Sequence, residues 1–183
     1  MNGYLLLIVV SIVLGYLLEA LSSLLTIRSM DSSLPEEFKD VMNAGKYQRS
    51  QEYARSRISL ELAEGGWSLA ILLAAIFTGL FNELDIMLRN YLDHSILRGL
   101  AYLGLLGLAA SLLHLPFRLY HTFVLEERYG FNTTSIKTFI MDRLKGYGLA
   151  CVIGGPLLAA VLWFFESSGE AACAPPPPAP TVP

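Results

Sequence analysis

Four stretches of the chain are apolar for long enough to cross a bilayer, which takes roughly 20 residues for about 30 Å of hydrocarbon. They cover about 4–27, 62–81, 99–117 and 146–165. The first carries a single ionisable residue, Glu19. The third is bounded by Arg98 and Arg118, and the fourth ends in Trp163, Phe164 and Phe165, as an interfacial aromatic belt would. Ahead of the second span, Tyr47, Gln51, Ala54, Ile58 and Leu62 recur at three- and four-residue spacing, which predicts a helix leading straight into it. Pro35, followed by Glu36 and Glu37, marks a helix start. After the third span, Gly130 predicts a sharp turn of positive φ, Asn132 an N-cap, and Phe131 with Ile136 a staple across that cap. Ile136, Phe139, Ile140 and Leu144 then form one apolar face, interrupted by Arg143, of a helix lying flat on the membrane and stopping near Gly146. Residues 82–95 read as a short link between the second and third spans. The pattern gives an all-α integral membrane protein of about four transmembrane helices, with amphipathic helices in two loops.

Charge adds an orientation. Only 16% of the residues are charged, against about 25% in an ordinary soluble domain. Thirteen Lys and Arg against sixteen Asp and Glu leave a net charge of −3, so no basic excess points to nucleic acid. Eleven of the thirteen basic residues fall in the loops 28–61 and 118–145. Loops rich in Lys and Arg stay in the cytoplasm, which places both termini and the 82–95 link outside. A cleaved signal peptide does not fit the first span, because Met1–Tyr4 lacks a basic residue and the apolar run is too long. Two cysteines, Cys151 and Cys173, exclude a disulfide framework. Residues 1–170 read as one membrane domain, and 171–183, with six prolines, as a disordered Pro-rich tail.

Candidate chemistry is sparse. Zinc peptidases of the His-Glu-x-x-His type place two histidines one helical turn apart with a carboxylate base between them. The histidines here are His94, His114 and His121, and no two have that spacing. His114 and His121 are seven apart with Pro116 between them. No metal site is expected in this chain. Glu19 is an intramembrane carboxylate with two open readings: a functional position facing a polar interior, or a residue near the cytoplasmic end of its span.

The run Phe123-Val-Leu-Glu126-Glu127-Arg-Tyr-Gly130-Phe131-Asn132-Thr-Thr, with Asp142 and Lys145 downstream, resembles the N-terminal membrane domain of type I CAAX prenyl proteases. So do Lys46-Tyr47-x-x-Ser50-Gln51-x-Tyr53-x-Arg55, Ser111-Leu-Leu-His-Leu-Pro116-Phe117 and Gly154-Gly155-Pro156-Leu157-Leu158, over about residues 1–170. The resemblance implies the N-terminal half of a zinc metalloendopeptidase acting on prenylated or membrane-associated proteins, its helices walling an intramembrane chamber. Zinc in that family is bound in the other half, so this chain is expected to have no cofactor or catalytic residue of its own. Its expected partners are the bilayer, that protease half or another membrane protein, and the substrates of the full enzyme. Its expected location is a bacterial inner membrane. Glu126, Glu127, Gly130, Phe131 and Asn132 would be structural or line the chamber. Glu126 and Glu127 are adjacent, so they point about 100° apart and form no acid–base pair. Ion pairs with Arg118 or Arg128, or a place facing the chamber, are the open readings. The alternative function is a stand-alone, non-catalytic membrane interaction or regulatory protein on the same scaffold.

Overall fold

The computed structural model describes residues 3–30 and 43–172, so the helix start read at Pro35 and the chain from Cys173 onward lie outside the described residues. Every described element is helical: α1 (Gly3–Ser29), α2 (Ala44–Thr78), α3 (Leu80–Tyr91), α4 (Ser95–Tyr120), α5 (Glu127–Tyr129), α6 (Ile136–Leu149) and α7 (Gly155–Ala172). Wide π-helical turns at His121–Glu126 and Ala150–Gly154 join α4 to α5 and α6 to α7 without a break. Four of the resulting helices are long and apolar enough to cross a membrane. Among the described residues only Ala75, Leu88 and Leu125 are buried, while large apolar side chains stand exposed along every one of these helices. Water would make so apolar a surface untenable; lipid is its natural solvent.

The helix read ahead of the second span does lead straight into it: α2 runs unbroken over 35 residues from an Asn43 cap, whose side chain accepts from Gly45 N–H. Two elements differ from the sequence reading. The 82–95 link is mostly α3. Gly79, at φ 72°, closes α2 in the left-handed conformation, and α3 begins at the next residue. Leu88 is buried on α3 while Asp85 and Arg89 pair at 2.7 Å on its exposed side. The helix from Ile136 does not end at Gly146; it passes through the wide turn into α7. Pro156 explains that turn. A proline has no N–H for the carbonyl four residues back and its ring crowds it, and a π-helical turn upstream relieves both.

The chain divides into two compact units, Met1–Glu83 with Leu108–Thr134, and Leu84–Gly107 with Ser135–Pro183. In the first, α1 and α2 pack as a hairpin. The Tyr16 hydroxyl donates to the Leu62 carbonyl at 3.1 Å, and the Tyr16 ring fills the notch left by Gly65 and Gly66. The opposite flank of the unit is α2 against the end of α4 and its π-helical turn. In the second unit, α4 meets α7 where Gly99 admits Leu162, and Ser95 donates to Glu166 at 2.5 Å. Ser135 caps α6 by accepting from the Thr138 N–H at 3.1 Å, and the Arg143 guanidinium lies 5.5 Å from the centre of the Phe139 ring.

Candidate functional site

The polar contacts between spans concentrate in the first unit, along the face that α2 turns to the end of α4. Glu64 on α2 and His114 on α4 meet at 2.6 Å between Oε1 and Nδ1. His114 Nε2 lies 3.4 Å from Ser68 Oγ, one turn further along α2. Ser68 uses its single proton on the Glu64 carbonyl, 2.8 Å away. With the Ser68 proton so placed, its Oγ is free to accept from the imidazole Nε2, while Nδ1 faces the Glu64 carboxyl. Carboxyl and imidazole thus serve each other as hydrogen-bond partners, which suits a place inside a hydrocarbon layer, where unpartnered polar groups are costly. The group can hold or pass one proton and can hydrogen-bond a peptide backbone; it offers no activated nucleophile.

Sequence reasoning missed this cluster because Glu64 is fifty residues from His114. Carboxylate and imidazole come from different helices, and no spacing along either one brings them together. An intramembrane Glu and an intramembrane His each carry the signal singly.

Below the cluster, two of the resembling motifs come together. Tyr53 sets its ring edgewise on Tyr129, at 5.5 Å between centroids, and on Phe131, at 5.1 Å. Ser56 Oγ and the Tyr129 hydroxyl share a hydrogen bond of 3.1 Å. Gly130 has φ 75°, and the Phe131 N–H returns to the Glu126 carbonyl at 2.8 Å, so the helix ends in a left-handed cap. Asn132 is not the N-cap of the next helix. Its side chain ties the turn together, donating to Glu127 at 2.9 Å and accepting from the Thr134 N–H at 2.7 Å, and Ser135 caps α6 instead. With Ser135 as the cap, Phe131 no longer holds the position before it that a staple requires, and its ring meets Tyr53.

Glu126 lies 3.4 Å from His121 Nδ1, and neither it nor Glu127 forms an ion pair with Arg118 or Arg128. The π-helical turn accounts for the pairing. Residues five apart diverge by about 140° on an α-helix, whereas bonding from i to i+5 stacks them. Glu19 is exposed on α1, about 15 Å along the axis from the helix end, and has no ion-pair partner among the described residues.

Zinc does not fit these residues. A protein site needs three or four ligands on one ion, and no group of three His, Cys, Asp or Glu comes together among the described residues. His114 and His121 are separated by about 10 Å of helix axis, each facing a single carboxylate.

Residues 23–174 match the family described as CAAX prenyl protease N-terminal, five membrane helices. The chain belongs to that family. Four long apolar helices are found among its described residues, against the family's five. CAAX prenyl protease 1 of Saccharomyces cerevisiae is 29% identical over 147 residues, which is 75% of this chain but 32% of the yeast protein. The probable CAAX prenyl protease 1 of Schizosaccharomyces pombe is 34% identical over 133 residues, covering 66% and 27% respectively. The crystal structure of S. mikatae Ste24p superposes with a TM-score of 0.80 at 27% identity, over 91% of this chain and 40% of that one. The chain therefore spans about a third of the length of the curated relatives it matches.

Proposed function

We propose that this chain works as the N-terminal membrane part of a CAAX-prenyl-protease-like zinc metalloendopeptidase, walling part of an intramembrane chamber. The zinc-binding helix and the catalytic residues belong to a further segment, and the chain by itself is inactive. The observation that carries the reading is the Ste24p superposition, which takes in nearly all of this chain and less than half of the other. Residues 1–170 act in it as one membrane domain. Glu126, Glu127, Gly130, Phe131 and Asn132 form the turn that locks α2 to the end of α4. Glu64, His114 and Ser68 line the chamber and offer hydrogen bonds to an extended substrate chain, and Glu19 faces the remainder of the enzyme. The substrates are prenylated or otherwise membrane-associated proteins. The division of basic residues supports cytoplasmic loops at 28–61 and 118–145 and both termini outside. We read the bilayer as a bacterial inner membrane, which fractionation of the source cells tests.

The functional test is a chimera. This chain replaces the matching first third of the Saccharomyces cerevisiae relative, in cells lacking their own enzyme, and cleavage of a prenylated CAAX peptide is measured. Cleavage by the chimera, with none by this chain alone, is the expected result. A folded, zinc-loaded chimera without activity would overturn it in favour of a stand-alone interaction protein.

A further inference from the structure

At the start of α2, away from the Glu64–His114 cluster, a cleft of about 530 Å³ is lined by Arg49, Glu52, Arg55, Ser56, Arg128 and Tyr129. Three guanidinium groups face it against one carboxylate. That carboxylate, Glu52, accepts a hydrogen bond from Gln48 at 3.0 Å. Among the described residues no carboxylate lies within ion-pair distance of Arg49, Arg55 or Arg128. Arg57 and Arg89 behave differently, each holding the carboxylate one turn away on its own helix, at 2.8 and 2.7 Å. Arg55 is the most constrained of the three. Its Nη2 donates to the Met30 carbonyl, while its Nε is buried and has no hydrogen-bond partner among the described residues. A buried guanidinium N–H without an acceptor is costly, and three clustered cations repel one another. One anion in the cleft offsets that repulsion and offers acceptors to the guanidinium groups that line it.

The chemistry of the donors narrows the anion. Guanidinium forks match tetrahedral oxyanions in a two-pronged fashion, and a net excess of positive charge calls for more than one negative charge. The hydroxyls of Ser56 and Tyr129, bonded to each other at 3.1 Å, add neutral donors to the same wall. The position narrows the source. Arg49 to Ser56 precede the apolar run of α2, and Arg128 and Tyr129 follow that of α4, so the cleft sits at the level of a membrane surface. Basic clefts at the ends of membrane helices take anionic headgroups. We propose that this cleft is a phosphate-binding site, occupied by the phosphate of an anionic phospholipid headgroup or by free phosphate. The site is independent of the protease reading and needs no residue of the zinc-binding segment.

The test is calorimetric titration of the full chain, purified in neutral detergent, with inorganic phosphate and with short-chain phosphatidic acid. Short-chain phosphatidylcholine serves as the zwitterionic comparison. Arg49→Gln and Arg128→Gln are each expected to weaken binding by about tenfold, the loss of one charge-assisted hydrogen bond. Lys145→Gln, an equal charge change outside the cleft, is expected to leave it unaltered. Both arginines are exposed, so the variants should melt with the parent chain, which a thermal scan checks. Binding of inorganic phosphate identifies phosphate itself as the ligand; binding of phosphatidic acid alone identifies the headgroup; either supports the site. No saturable binding of either probe would overturn it. So would binding that Arg49→Gln and Arg128→Gln leave unchanged, or that phosphatidylcholine equals.

Discussion

A Cβ added at Gly66 would lie 2.9 Å from the hydroxyl oxygen of Tyr16, and one added at Gly99 would lie 2.9 Å from a methyl of Leu162. The two glycines sit in different units and look interchangeable by distance. The neighbours differ in what holds them. The Tyr16 hydroxyl is tied to the Leu62 carbonyl and cannot retreat without losing that bond. The Leu162 methyl has no directional partner and can rotate. The same contrast runs through the two units. The first is joined by directional bonds: Tyr16 to Leu62, Glu64 to His114, Ser56 to Tyr129, with Tyr53 edgewise on two rings. In the second, α4 and α7 approach through a glycine and a leucine, with Ser95–Glu166 at the helix ends. Between lipid-covered helices the hydrophobic effect gives little drive, so close packing and hydrogen bonds must supply it. The two units weight those sources differently.

The largest effect is expected where a directional bond is removed and its partner stays behind. His114→Leu leaves the Glu64 carboxyl without its acceptor or donor and should cost about 2 kcal/mol. Glu64→Leu combined with His114→Leu should recover much of that loss, since an apolar pair needs no compensation. Thermal melts in detergent measure both, and equal melting of the single and double variants would mean that the pair is not a bond of consequence. Next comes Gly130→Val. Nothing lies within 4 Å of an added Cβ there, so the whole penalty is the φ of 75°, about 1–2 kcal/mol. Melting with the wild type would show that the turn can rebuild without a left-handed residue.

Gly66→Ala should cost about 1 kcal/mol net, the loss and crowding of the Tyr16 bond outweighing a gain in helix propensity of similar size. Tyr16→Phe in the same background should remove most of the difference between glycine and alanine. Gly99→Ala should be smallest, within about 0.5 kcal/mol of the parent, because Leu162 yields and helix propensity improves. A drop at Gly99 as large as at Gly66 would erase the distinction between the units.

The spans were legible because lipid imposes one requirement on every residue facing it, and twenty apolar positions in a row meet it whatever they touch. Gly130 was legible for a similarly local reason: few residues tolerate positive φ, and the segment had to turn. Asn132 was misread because Asn132-Thr133-Thr134-Ser135 offers four consecutive residues able to cap, and sequence cannot say at which one helical backbone begins. α3 escaped notice because Phe81, Leu84 and Leu88 keep a helical spacing inside a stretch whose charges made it look like a link. Gly146 was taken for a stop, yet an interior glycine only weakens a helix. The Glu64–His114 contact was invisible for a deeper reason. It depends on how α2 and α4 are rotated about their own axes, and no periodicity along one helix reports the phase of another.

The phase of the motif that follows α4 is set by a single residue. The π-helical turn at His121–Glu126 holds one residue more per turn than the helix around it, so everything after it is rotated by about 100° from where an unbroken α-helix would carry it. Tyr129 and Phe131 meet Tyr53 with that offset in place. The turn thus behaves as a gear tooth inserted in the helix: removing one residue from it would leave the helix intact but re-aim the whole motif away from α2.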